Sequence, residues 1–180
     1  AASKDRLTRD RLRRYRAGYR AGLAQGGYRV LKEGDRAPNF TTVDHTGKEF
    51  RLADLMGKKV WLWFYSSPGG SNELATVTDR DNYSDFLDKN IQVFGVNDRD
   101  QESPRSWVER EGLPFPILLD PERSIALAYG MSKAGDESYL ANSSRGRRPA
   151  VIIDEDGRVL KMLPDLATVD GQTEVLASLT

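Results

Sequence analysis

The sequence predicts an α/β sandwich with a mixed sheet, and three observations predict it. From Leu31 onward, short strand-like runs alternate with helix-like ones, the order that layers helices on a sheet. Two runs, KVWLWFY (59–65) and IQVFGV (91–96), are apolar on both faces, as strands buried between helical layers are. Two further stretches fold back through turn residues, which adds antiparallel neighbours.

The elements follow in order. Residues 39–52, NFTTVDHTGKEFRL, alternate with period two on both sides of His45-Thr46-Gly47, a hairpin signal. Residues 59–65 make a central strand with Trp61 and Trp63 on one face and Val60, Leu62 and Phe64 on the other. That much aromatic area reads as core. Leu74, Val77, Tyr83, Phe86 and Leu87 fall at helical spacing within 72–90. After the strand at 91–96, Ser103-Pro104 opens a helix that runs through Trp107 and stops at Gly112. PILLD (116–120) is a strand, and RSIALAYG (123–130) a short helix ended by Gly130. AVIIDEDGRVLKML (150–163) is two strands around Asp156-Gly157, and GQTEVLASL (171–179) is a closing helix. No second boundary follows residue 31. The chain therefore divides into an extension, 1–30, and one domain, 31–180.

Charge marks the same division. The whole chain is formally neutral, with 27 Lys/Arg against 27 Asp/Glu. Residues 1–30 hold nine Lys/Arg and two Asp, a net of +7, which leaves −7 for the remainder. Residues 4–25, KDRLTRDRLRRYRAGYRAGLAQ, read as a helix capped by Ser3 and stopped by Gly26-Gly27. Leu12, Tyr15, Tyr19 and Leu23 share one face, and arginines at 6, 9, 13, 16 and 20 surround it. The expected role is docking on an acidic protein partner or assembly through Arg9, Leu12, Arg13, Tyr15, Arg16, Tyr19, Arg20 and Leu23. Packing on the chain's own acidic body, an anionic membrane surface and nucleic acid are the competing readings. No aromatic-basic motif for base recognition accompanies the arginines.

Composition excludes several chemistries. There is no cysteine and one histidine, so disulfides, thiolate catalysis, cysteine metal sites and multi-histidine centres are out. No apolar stretch approaches the roughly 18 residues of a membrane span. The start at Ala1 reads as a processed or trimmed terminus, compatible with an organelle or with a bacterial cytoplasm or stroma-like soluble compartment.

The remaining polar features divide between sites and plain structure. Pro68-Gly69-Gly70-Ser71 precedes a helix and offers an anion site or a tight turn with Ser71 as cap. His45 reads as a surface turn histidine. Asn97-Asp98-Arg99-Asp100 lies at a strand's carboxyl end, where α/β ligand sites form, and reads first as a solvated loop. The polar stretch 133–148 is long for a loop and offers a contact surface.

Three pieces then resemble one family. GDRAPNFTTVDHTGKEFRLADLMGKKVWLWFY, GLPFPILLDPERSIALAYGM and RRPAVIIDEDGRVL are similar to the corresponding runs of peroxiredoxins, thiol peroxidases of thioredoxin fold. The resemblance covers 31–180. It implies a thioredoxin-like fold, a central mixed β-sheet flanked by helices, with the basic helical extension added in front. Peroxiredoxins carry their chemistry on P-x-x-x-T-x-x-C at the first turn of the helix after the central strand. There the helix dipole and an arginine stabilise the thiolate. Aligned from its right-hand end, FYSSPGGSNELATVTDR places Gly70 at the cysteine, Ser67 at the threonine and, further on, Arg148 at the arginine. An ungapped alignment from Phe64-Tyr65 places Glu73 at the cysteine instead. Neither register supplies a thiol, and serine hydroxyls do not take over peroxide chemistry. The resemblance therefore implies a non-catalytic relative, a structural or accessory subunit without cofactor or metal, with homodimer formation a further option. The alternatives are a thiol peroxidase whose cysteine is absent from this version of the chain, and a small-anion module at the Gly70 turn.

Overall fold

The run KVWLWFY is wholly buried because both its faces are apolar, and it becomes the middle of the sheet. A computed structural model describes residues 31–65, 80–99, 101–131, 148–166 and 169–179. The strands are β1 (Thr41–Val43), β2 (Glu49–Arg51), β3 (Lys59–Tyr65), β4 (Ile91–Asn97), β5 (Ile117–Leu119), β6 (Arg148–Ile153) and β7 (Val159–Leu166). The helices are α1 (Tyr83–Asp88), α2 (Glu102–Glu111), α3 (Ser124–Ala128) and α4 (Val169–Ser178), with a 3-10 turn at Leu52–Leu55.

Five strands form the main sheet in the order β5-β4-β3-β6-β7. β3 runs parallel to β4, and β4 to β5. β6 is antiparallel to both β3 and β7, so the sheet is mixed, as the sequence predicts. Asp154 closes the β6–β7 turn: its Oδ1 accepts the amides of Asp156 and Arg158, both at 2.9 Å. Gly157 there takes φ +77°, a backbone that favours glycine.

Strand alternation sorts the core into two layers. Val60, Leu62 and Phe64 face α3, the 3-10 turn and the segment from Leu31 to Phe50. Trp61, Trp63 and Tyr65 face Phe86 of α1, Trp107 of α2 and Leu176 of α4. Room for the Trp63 indole comes from its strand neighbours, Gly95 on β4 and Ala150 on β6. Among the described residues no helix is long and apolar enough to cross a membrane.

β1 and β2 pair with each other, not with the main sheet. The hairpin docks on the β5 edge by an Asp44–Leu118 bridge. Thr42 Oγ1 also donates to the Leu119 carbonyl at 2.6 Å. The extension 1–30, its eight candidate contact residues and the stretch 133–147 lie outside the described residues, as do residues 72–79 of the predicted 72–90 helix.

Candidate functional site

The carboxyl ends of β3, β4 and β5 are where an α/β sheet offers its ligand site. Asn97 ties these ends together. Its Nδ2 donates to the Tyr65 carbonyl at 2.8 Å, its Oδ1 accepts the Arg99 amide at 2.9 Å, and its carbonyl accepts the Asp120 amide at 2.8 Å. The predicted solvated loop at 97–100 is therefore corrected at its first residue. Asn97 is 1% exposed and works as a clamp, since a buried amide side chain must find partners.

Tyr65 ends β3, one step before the stretch that would carry the reacting residue. Its ring stacks on Trp63 and meets Trp107, both at 4.5 Å between centroids. The buried hydroxyl has no hydrogen-bond partner among the described residues. Burial pushes the phenol up, and the charge of Asp98 adds to it. Tyr65 is thus held as a neutral phenol, which is no nucleophile.

Asp120, at the end of β5, is 2% exposed. Its Oδ1 accepts the Ile125 amide and its Oδ2 the Ala126 amide, each at 3.0 Å, and Ser124 Oγ donates at 3.4 Å. Beside it a groove of about 330 Å³ runs between Phe40–Thr42 and α3. The Tyr129 hydroxyl that borders it donates to the Pro38 carbonyl at 2.7 Å. Of the groove's polar side chains, Thr42, Asp120 and Tyr129 are occupied in holding the fold, while Asn39 Oδ1 is buried with no partner among the described residues.

The positions singled out by the family resemblance are not gathered by the described residues. Ser67, Gly70 and Glu73 lie outside them, as does the Pro68–Ser71 turn. Arg148 opens β6 and registers with Leu166 on β7. Among the described residues no group of three or more His, Asp or Glu is placed to hold a metal ion. His45, expected as a surface turn histidine, does sit in the turn. Its ring, however, is half-buried, and Nδ1 accepts the Ile117 amide at 3.2 Å. Sequence reasoning missed this contact because the partner lies 72 residues away. It also missed Asp120, although the Asp-Pro turn before RSIALAYG marks the place.

A mixed five-stranded sheet with helices on both faces defines a thioredoxin-like fold. The peroxidoxin BcpB of Mycobacterium tuberculosis superposes with a TM-score of 0.70 at 22% identity, over 83% of this chain and 96% of that one. A PrxQ variant of Xylella fastidiosa gives 0.71 at 20% identity, over 85% and 97%. The chain belongs to the AhpC/TSA family, matched over residues 33–162. Rv2521 of M. tuberculosis, which carries a peroxiredoxin name, is 33% identical over 134 residues, 72% of this chain and 83% of the relative. Peroxiredoxin Bcp of Escherichia coli K12 is 28% identical over 150 residues, 81% and 94% of the two chains.

Proposed function

We propose that this chain is a non-catalytic member of the peroxiredoxin family, an accessory subunit tethered to a larger assembly by its basic segment, residues 4–25. The observation that carries the reading is that none of its 180 residues is a cysteine. The family's reaction is attack of a thiolate on a peroxide oxygen, with the sulfur oxidised to a sulfenic acid. No oxygen nucleophile repeats that cycle, because a hydroxyl is not oxidised and recycled in this way. The described end of the sheet offers a neutral phenol at Tyr65 and a carboxylate at Asp120 committed to the amides of α3. What distinguishes the chain is then its charge division, +7 in residues 1–30 and −7 in the rest, which suits contact with an acidic partner.

Two measurements test the two halves. The full chain is expected to consume hydrogen peroxide or an organic hydroperoxide no faster than the heat-inactivated protein. Turnover above that background would sink the non-catalytic half. Reversing Arg13, Arg16 and Arg20 to glutamate is expected to release the chain from large complexes in size fractionation of its source, with its denaturation midpoint unchanged. A triple variant that still elutes with the complexes removes the tether. Loss of binding to anionic vesicles or to duplex DNA in its place would assign the segment to a membrane surface or to nucleic acid.

A further inference from the structure

We propose that His45 is a pH-operated latch that fastens the β1–β2 hairpin to the edge of the main sheet. β5 is an end strand of that sheet, and an open strand edge needs cover. The hairpin turn supplies it, and His45 meets Ile117 twice. The His45 amide donates to the Ile117 carbonyl at 2.8 Å, and the Ile117 amide donates to imidazole Nδ1 at 3.2 Å. The ring nitrogen stands where a neighbouring strand would place a carbonyl. From the α2 side, Gln101 Nε2 donates to the His45 carbonyl at 3.1 Å.

An accepting Nδ1 exists only in the neutral ring, whose proton is then on Nε2. A second proton turns Nδ1 into a donor that faces another donor. Ile117 is fully buried, so its amide has no water to turn to. The half-buried ring of His45 can swing outward, and Ile117 cannot follow. The latch therefore needs the neutral ring, because an imidazolium offers the Ile117 amide no acceptor.

The charged groups on the elements that meet the ring are few. Asp44 and Lys48 share its turn, where Asp44 Oδ1 accepts the amides of Thr46 and Lys48 at 2.8 and 3.1 Å and the Thr46 hydroxyl at 2.6 Å. Asp98, Arg99 and Glu102 lie on the segment entering α2, and β5 brings no ionisable side chain. His45 is the chain's single histidine, and imidazole is the side chain whose charge ordinarily changes between about pH 5 and 8. The hairpin also matters beyond its own contacts. Thr41 and Thr42 form one wall of the groove that Leu119, Asp120 and Glu122 close from the other side. Releasing the latch removes one of the ties that hold that wall, beside the Thr42–Leu119 hydrogen bond and the Asp44–Leu118 bridge.

Amide hydrogen exchange of Ile117 in the full chain, corrected for the intrinsic pH dependence, tests the latch at about pH 8 and pH 5.5. Protection is expected to fall about tenfold on acidification, the scale of one lost hydrogen bond, while the Leu62 amide in β3 keeps its protection. His45→Asn presents a carboxamide oxygen that does not titrate, so its Ile117 protection is expected to be equal at both pH values. His45→Phe has no acceptor and is expected to be weakly protected at both. Wild-type protection that does not change with pH overturns the latch. So does an acid-induced loss that His45→Asn shares, or that Leu62 shows equally. If His45→Phe fails to fold, the wild type and His45→Asn still decide.

Discussion

Trp63→Ala is expected to lower the stability of the chain by about 3–5 kcal/mol, read as a shift in the chemical denaturation midpoint. The indole is 1% exposed and meets three aromatic rings among the described residues. Tyr65 stacks on it at 4.5 Å, Trp107 meets it edge-on at 5.9 Å and Phe115 at 6.1 Å. Truncation removes the ring's transfer free energy and leaves a void that rigid aromatic neighbours cannot fill. Gly95 supplies the complementary experiment. A methyl group placed on it would stand 3.0 Å from Trp63 Cζ2 and 3.3 Å from Ile117 Cγ1, inside normal contact distance on both sides. Gly95→Ala is therefore expected to cost about 1–3 kcal/mol by overpacking. Trp63→Phe deletes the atom that the methyl would strike, so the double variant is expected to be more stable than the two single losses predict. Additive losses would show that Gly95 does not make room for the indole.

The same pair explains why the strands were legible in the sequence while their neighbours were not. KVWLWFY declares itself because both its faces are apolar, and Trp61 and Trp63 fall on one face by period two alone. That Gly95 and Ala150 flank Trp63 is decided by register across β4 and β6, and register has no local signal. The hairpin at 39–52 was legible from its alternation around His45-Thr46-Gly47. Its attachment to β5 was not, because Asp44–Leu118 and His45–Ile117 join positions more than 70 residues apart. The family resemblance singles out Ser67, Gly70 and Arg148 through motif order, and the described residues do not test that choice. Yet Asn97 and Asp120, which hold the described end of the sheet, stand out only after folding, when burial forces each polar side chain to find a partner.

Asp120→Ala is expected to cost about 2–4 kcal/mol, because it strands two buried amides at once. α3 starts without a side-chain cap at Arg123, and the carboxylate that serves it comes from three residues earlier. The path is a tight one. Asp120 accepts the Arg123 amide with its carbonyl at 2.9 Å, the chain passes through Arg123 at φ 56°, and only then do the amides of Ile125 and Ala126 converge on the carboxylate. A side chain at positive φ costs about 1 kcal/mol relative to glycine, and Arg123 Nη1 is buried with no partner among the described residues. Arg123→Gly is therefore expected to be neutral or to stabilise by up to about 1 kcal/mol, opposite in sign to Asp120→Ala at a site three residues away. Asp120→Asn separates charge from geometry: it keeps one accepting oxygen and is expected to lose about half as much as alanine. Thermal or chemical unfolding of the three variants reads all of this. If Asp120→Ala unfolds at the wild-type midpoint, water replaces the carboxylate, and the end of β5 is open to solvent in a way that its 2% exposure denies. If Arg123→Gly destabilises by more than it relieves, the arginine stem packs on the α3 face and the left-handed backbone is the smaller term.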